Sequence, residues 1–159
     1  MIFDANLVFD CYVSAGSGMQ GVPVFTNNSS QVSSNVLDML YQRDLGQGPS
    51  GLATLDLVLL VTTAFAGGTS LNVQLQGSTD NVTFTTYSQS GAIPVAALGA
   101  GAKIFRTMVA AAQPESGPPP RYYRLNYVCV GAMTAGAVIA AIASGDDVHY
   151  YRAGIAVAN

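Results

Sequence analysis

The residues best suited to chemistry stand together in the last part of the chain. Asp146, Asp147 and His149 bring two carboxylates and an imidazole close together in sequence. Such groups bind divalent metals, but a metal site normally needs three or four ligands and supporting partners. His149 is the single histidine and Glu115 the single glutamate, and no further group stands out to complete the set. We therefore expect a solvated loop here and no bound metal.

Other catalytic arrangements are equally hard to assemble from this sequence. A nucleophile–base pair would have to join His149 to one of many serines, and no Gly-x-Ser-x-Gly elbow is present. No two carboxylates are singled out as a pair for glycoside cleavage. The glycine-rich pieces lack the lysine and the strand–loop–helix context of a phosphate site. We predict no enzyme, no catalytic residue, no cofactor and no small-molecule substrate; a small hydrolase that depends on His149 is the competing hypothesis.

Two segments show the period of strands that have one buried face. Over residues 71–76, leucine and valine alternate with asparagine and glutamine. Over residues 121–130, Tyr123, Leu125, Tyr127 and Cys129 share one side of the strand. Since each segment has a single apolar face to bury, we predict that they are facing or neighbouring strands of one antiparallel β-sandwich.

The remaining patterns also favour an all-β fold. We predict further strands over 7–13, 35–41, 55–61, 82–87, 103–109 and 137–143, with the 71–76 and 82–87 strands joined as a hairpin. Over 35–41 the apolar residues also fit one helical turn, and strand is preferred because the rest of the chain is β. The 55–61 strand is apolar on both faces, which predicts a central strand covered on both sides or a subunit contact. The prediction is a single jelly-roll-like domain over 1–159 with about eight strands, a long loop at 15–34 and a C-terminal tail at 144–159.

Composition limits the partners of this chain. Half of its 159 residues are hydrophobic and only 9% are charged, against about 25% in an ordinary soluble domain. The most apolar segment, 55–65, contains Asp56 and falls short of the roughly 20 apolar residues of a spanning helix. We expect no membrane segment and no secretory signal. With a net charge of −3 and six scattered basic residues, we also expect no nucleic-acid binding. A surface with so few charges favours burial in an assembly.

The two cysteines favour buried thiols over chemistry. Cys129 lies on the apolar side of its predicted strand, and Cys11 follows a short apolar run. Because no secretory signal is expected, we predict no disulfide between them.

Aromatic and basic residues supply the candidate interface positions. We expect Tyr123 and Tyr127 in the core and Tyr122 at the surface, where Arg121 and Arg124 could face an acidic partner. The tail combines aromatic and charged residues of the kinds that interfaces favour. The predicted protein-interface residues are Tyr122, His149, Tyr150, Tyr151 and Arg152.

An ordered set of turn and strand motifs resembles a known family. The set is Arg43-Asp-Leu-Gly-Gln-Gly48, Ser70-Leu-Asn-Val-Gln-Leu-Gln-Gly-Ser-Thr-Asp-Asn81, Ile93-Pro94, Leu98-x-Ala-Gly101, Arg121-Tyr-Tyr-Arg-Leu-Asn-Tyr127 and Gly131-Ala-Met-Thr-Ala-Gly136. Over roughly residues 40–143 it is similar to the capsid cement, or decoration, proteins of tailed bacteriophages, typified by the cement protein of a Bordetella phage. The long loop at 15–34 and the triple proline at 118–120 do not match this pattern.

The resemblance implies a structural virion protein. It implies a jelly-roll subunit, made in the host cytoplasm, that clusters as a homodimer or homotrimer on the outside of an icosahedral capsid and clamps neighbouring major capsid proteins. We expect the loops and ends at 1–6, 15–34, 113–120 and 144–159 to supply the adhesive surface. The alternative is a carbohydrate-binding β-sandwich module, which the absence of tryptophan disfavours.

Overall fold

Two antiparallel sheets pack face to face in the computed structural model of the chain, which describes residues 2–14, 18–23, 30–42, 56–108 and 118–144. The strands are β1 (Ile2–Asp10), β2 (Tyr12–Ser14), β3 (Gly18–Gln20), β4 (Val22–Pro23), β5 (Ser30–Val32), β6 (Leu37–Asp38), β7 (Asp56–Gly67), β8 (Ser70–Ser78), β9 (Thr85–Gln89), β10 (Ile93–Pro94), β11 (Lys103–Met108), β12 (Tyr122–Val130) and β13 (Met133–Ser144). A single 3₁₀ turn spans Val95–Ala97 in the described chain. The predicted all-β sandwich is confirmed.

The first sheet has the strand order β1-β13-β7-β11, and β4 also pairs with β13. Strand β7 is therefore central, as its two apolar faces predicted. Leu57, Leu59 and Val61 point into the core, whereas Val58 and Leu60 on the other face are half-buried.

The second sheet has the order β10-β8-β12-β5, with β9 paired to β8 and β6 paired to β12. Strand β12 covers the whole length of β8, from the Tyr122–Ser78 pair to the Val130–Ser70 pair. The short strands β9 and β10 both pair with the edge of β8 that faces away from β12. In the same way, β5 and β6 both pair with the edge of β12 that faces away from β8. Each sheet is thus four strands wide. The two segments with a single apolar face are neighbours in this sheet, in agreement with the prediction.

One long antiparallel ribbon runs through both sheets. The segment from β7 to β8 runs antiparallel to the segment from β12 to β13. Gly67 pairs with Met133 at the edge of the first sheet, and beyond this pair the two segments lie in the second sheet as β8 and β12. The crossing places Gly68 against Gly131, and the Thr69 N–H donates to the Val130 carbonyl at 2.7 Å. We call Gly67, Gly68 and Gly131 the glycine corner.

The core fills the space between the two sheets. It consists of inward-facing side chains of both central strand pairs together with Phe9, Leu98 and Phe105. Tyr123 and Tyr127 are among its largest fully buried members, which confirms their predicted place. Cys129 is buried and Cys11 half-buried, and the two do not form a disulfide. Burial raises the pKa of the Cys129 thiol to about 11.

The segment at 15–34 differs from the predicted loop. Its described part contains β3, β4 and β5, which pair with β2, β13 and β12 respectively. Strands of two or three residues are too short to show an alternating period. Backbone pairing with longer strands defines them instead, and the sequence of the segment does not reveal that pairing.

Turn chemistry also displaces part of a predicted strand. Residues 82 and 83, predicted as strand, belong to the turn that joins β8 to β9, and β9 begins at Thr85. The predicted hairpin is present, because β9 pairs antiparallel with β8. Among the described residues, no helix has the length and apolar character needed to cross a membrane.

Candidate protein-binding end

Three chain segments meet at one end of the second sheet. Tyr122, the first residue of β12, pairs with Ser78 on one side and with Asp38 on the other. The Arg121 N–H donates to the Ser78 carbonyl at 2.9 Å, and the Met39 N–H donates to the Arg121 carbonyl at 2.9 Å. We call residues 38–41, 78–83 and 118–122 the β6–β8–β12 end. It lies opposite the glycine corner along β8 and β12.

An ion pair fixes one side of this end. Nε and Nη2 of Arg121 donate to the two carboxylate oxygens of Asp38 at 2.6 and 2.7 Å. The guanidinium carbon also lies 4.9 Å from the centre of the Tyr122 ring. The Arg121 guanidinium holds the pKa of the Asp38 carboxyl below its usual range. Because both groups are partly exposed, the pair positions the segment more than it stabilises the fold.

Leu40 projects from the segment that this ion pair fixes. Its side chain is 72% exposed, and its backbone has a φ of 69°. This left-handed conformation is unfavourable for a bulky L-residue. The Leu40 N–H donates to Asp38 Oδ1 at 2.8 Å, so the same carboxylate binds Arg121 and supports the strained turn.

A second capped turn presents Val82, whose side chain is 80% exposed. Asp80 Oδ1 accepts the N–H groups of Val82 and Thr83 at 2.9 and 2.8 Å, and it also accepts the Ser78 hydroxyl. Donation by Thr83 and Val82 lowers the pKa of the Asp80 carboxyl to about 2. Asn81 adopts a φ of 60° in this turn, a conformation that asparagine tolerates.

A buried carboxylate lies elsewhere, at the seam between the sheets. Tyr127 of β12 donates its hydroxyl to Asp10 Oδ2 of β1, and the Ser34 N–H donates to Asp10 Oδ1 at 2.8 Å. Burial raises the pKa of the Asp10 carboxyl, although the bonds from Tyr127 and Ser34 act in the opposite direction. The carboxylate is only 1% exposed. This Asp10–Tyr127 bridge joins the sheets and is closed to a substrate.

The outer face of the second sheet holds a network of side-chain amides. Asn72 donates to Gln89 at 3.1 Å, and Asn126 donates to Gln74 at 2.8 Å. Arg124 Nε donates to Gln76 at 2.9 Å, and its guanidinium carbon lies 3.8 Å from the centre of the Phe84 ring. Much of the hydrogen-bonding capacity of this face is therefore used within the protein.

The structure places one of the five predicted interface residues. Tyr122 is half-buried and belongs to the β6–β8–β12 end. His149, Tyr150, Tyr151 and Arg152 lie outside the described residues, as do Asp146 and Asp147. Contrary to the suggestion that Arg121 and Arg124 face an acidic partner, both side chains bind groups of their own chain. The 2–6 part of the predicted adhesive N-terminal segment belongs to β1.

Sequence reasoning missed the exposed side chains of Leu40 and Val82. Both follow an aspartate by two residues, and that spacing lets the carboxylate accept the N–H of the later residue. An apolar residue at this position of a capped turn points away from the sheet. The aspartate two residues earlier could therefore have predicted both turns. It was overlooked because the neighbouring residues have the composition of a strand.

These features define a class of protein. Within the described parts of the chain, no three histidine, cysteine, aspartate or glutamate side chains are grouped to hold a metal ion. Leu40 and Val82 are the most exposed large apolar side chains of the described residues, and each stands on a turn held by aspartate hydrogen bonds. The chain is an antiparallel β-sandwich with a candidate protein-binding end.

The chain belongs to the Bbp16 family, whose model matches residues 24–142. The family is named for a Bordetella phage protein, and the match confirms the resemblance to that phage family found in the sequence. It includes most of the long segment at 15–34 and the triple proline, the parts that the motif pattern left unmatched. No curated protein matched the chain.

Proposed function

We propose that the chain is a capsid cement protein, which binds the outside of an icosahedral phage shell and clamps neighbouring major capsid proteins. The observation that supports this most directly is membership of a family named for a Bordetella phage protein. The resemblance described above implies the cement role within that phage context. In this proposal the protein is not an enzyme and has no cofactor.

The physical character of the chain agrees with permanent adhesion. The sandwich is stiffened by a ribbon that runs through both sheets. Only 9% of the residues are charged, so desolvating the surface in a contact requires few charges to leave water. A stable protein contact buries about 1,200–2,000 Å² in total. Many copies on one shell add avidity, because each contact holds the next at high effective concentration.

The test compares shells with and without the protein. Shells assembled without it should bind the purified protein on sedimentation, and the resulting complex should resist heat better than bare shells. The matched control is the same amount of folded protein sedimented without shells, which should stay in the supernatant. Equal resistance of bare and complete shells to heat and internal pressure would show that the protein is not a cement.

A carbohydrate-binding module is the second candidate, and the outer face of the second sheet is the surface it would use, because side-chain amides line that face. Side-chain amides are common partners of sugar hydroxyls, but Asn72, Gln74 and Gln89 already bond to one another or to their neighbours. This role predicts a glycan that raises the melting temperature of the protein. If a panel of glycans leaves the melting temperature unchanged, the carbohydrate-binding role is excluded.

A further inference from the structure

The two most exposed large apolar side chains among the described residues stand at the same end of the sandwich. They are Leu40 and Val82. Leu40 follows β6 and Val82 follows β8, and these strands flank the start of β12. The bases of the two turns are therefore about 10 Å apart, which is two inter-strand spacings. A single partner surface can contact both side chains.

Backbone strain coincides with this exposure. In the described parts of the chain, Leu40 and Asn81 are the two non-glycine residues with positive φ, and both lie at this end. Each turn is held by an aspartate whose oxygen accepts backbone N–H groups. Strained conformations of this kind persist where the surrounding structure enforces them, and they cluster at binding sites. At Leu40 these hydrogen bonds hold an apolar side chain exposed to water.

Asp38 and Arg121 pair within the chain, and Asp80 is the other charged residue of this end. Asp38 is occupied by Arg121 and by the Leu40 N–H. One oxygen of Asp80 accepts two N–H groups and a hydroxyl. Because these donors are neutral, Asp80 keeps its negative charge. Apart from this single carboxylate the end is neutral, so the complementary surface is largely uncharged and apolar, and the carboxylate repels an anionic one. That excludes a phosphate backbone or an anionic lipid surface as the preferred occupant.

From these observations we propose that the β6–β8–β12 end docks on the major capsid protein, with Leu40 and Val82 seated in uncharged apolar recesses of the shell. The proposal rests on the cement function and names the surface that performs it. Since aspartate hydrogen bonds already hold both turns before contact, little backbone entropy is lost on docking. Attachment through this end should depend weakly on salt, because no ion pair forms across the contact.

The test uses two variants and a matched control in co-sedimentation with shells assembled without the protein. Leu40→Asn removes the apolar side chain and installs a residue that tolerates positive φ, so the free protein should melt no lower than wild type. We expect its attachment to be at least about 10-fold weaker.

Val82→Thr should weaken attachment about fourfold. The control is Val130→Thr, the same change at an exposed valine at the far end of β12, and it should bind as wild type does.

The outcomes separate this proposal from the cement function. If wild type binds shells and both variants bind equally well, the docking surface is wrong and the cement function stands. If wild type does not bind shells, the cement function fails and the named occupant fails with it. A variant that instead lowers the mass of the protein in solution would assign this end to self-association and overturn the proposal. A loss of attachment greater than about 10-fold between 0.1 and 0.5 M salt would overturn the uncharged contact.

Discussion

Asp10 joins two strands that belong to different sheets, and its partner Tyr127 is 117 residues away in sequence. Both side chains are about 1% exposed, so the hydrogen bond between them is shielded from water. A buried hydrogen bond of this kind is expensive to leave unmade on either side. The bridge therefore fixes the spacing between β1 and β12 at the seam of the sandwich.

Removing the Asp10 side chain should destabilise the fold. Asp10→Ala leaves the Tyr127 hydroxyl buried without its acceptor, and we expect a loss of about 1–3 kcal/mol in the free energy of unfolding. Asp10→Asn keeps an oxygen for the Ser34 N–H and should lose less than about 1 kcal/mol. Urea unfolding followed by circular dichroism measures both. Equal losses for the two variants would show that the one oxygen kept by asparagine does not preserve any of the bridge.

The same carboxyl should make stability depend on pH. Burial raises the pKa of Asp10 above the ordinary value of 3.8, so the folded chain binds this proton more tightly than the unfolded chain does. The contribution of the group is complete below pH 3.8 and is lost as the pH rises through the folded pKa. Wild type should therefore gain stability relative to Asp10→Asn as the solution is acidified from neutral pH. A difference between the two proteins that shrinks on acidification would contradict the raised pKa.

Sequence reasoning identified one partner of this bridge and not the other. The alternating pattern of β12 correctly predicts that Tyr127 is in the core. Asp10 gave no such signal, because an aspartate near a strand end is usually solvated. Only the fold brings the two together, and a local pattern cannot contain a contact between such distant residues.

At the level of elements, the glycine corner lets both strands of the ribbon change sheets at one place. Gly131 has a φ of 82°, and a Cβ placed there would lie 2.8 Å from the Gly68 Cα. The obstacle is backbone, so no rotamer change can relieve it. The close approach of the two chains requires glycine on both sides.

Three glycine substitutions should separate close approach from backbone strain. Gly131→Ala introduces both a backbone clash and strain from positive φ, and we expect the free energy of unfolding to fall by about 2–4 kcal/mol. Gly91→Ala has a φ of 73° but open space around the added Cβ, and should lose about 1–2 kcal/mol. Gly99→Ala has open space and no positive φ, and should change stability by less than about 0.5 kcal/mol. Thermal unfolding ranks them. A Gly131→Ala variant as stable as Gly99→Ala would show that the corner can relax.

The long strands were predictable because each has a single apolar face or a continuous apolar run. For this reason β8 and β12 were predicted as facing or neighbouring strands, and they are neighbours. The short strands at 18–32 were missed, since backbone pairing with long strands defines them and leaves no period in the sequence. At 82–83, the β-branched residues favoured a strand. The N–H groups of both residues instead donate to the Asp80 carboxylate, which stabilises a turn.

At the level of the whole molecule, the sandwich should unfold in one step. The ribbon places β7 and β13 in one sheet and β8 and β12 in the other, so neither sheet can separate without breaking the other. Near-ultraviolet circular dichroism responds to tyrosines in fixed surroundings, such as the buried Tyr123 and Tyr127 of the second sheet, while far-ultraviolet circular dichroism reports on both sheets. The two signals should have the same midpoint on heating. Two separated midpoints would show that the sheets are independent units.

The tail at 144–159 supplies a second whole-molecule prediction. Ser144 still pairs with Ile2 at the end of β13, so a truncation after residue 144 leaves the described sheet intact. We expect this truncation to weaken attachment to shells while the melting temperature stays within a few degrees of wild type. A truncated protein that does not fold would place the tail in the core instead.

The broad outline of the molecule was predictable, but its binding end was not. Low charge, alternating strands and the ordered motifs predicted the sandwich and the phage family. The exposed end depends on three segments from distant parts of the chain that come together beside Tyr122. Four of the five predicted interface residues lie in the tail, outside the described residues, and those predictions remain untested.

The opposite placement of the glycine corner and the β6–β8–β12 end has a mechanical consequence. A pull between these two ends acts parallel to β8 and β12, so the hydrogen bonds from the Tyr122–Ser78 pair to the Val130–Ser70 pair resist it together in shear. A pull across the strands would open the same bonds one after another, at lower force. A subunit held at both of these ends would carry tension along its stiffest axis, and single-molecule pulling in the two directions would measure the difference.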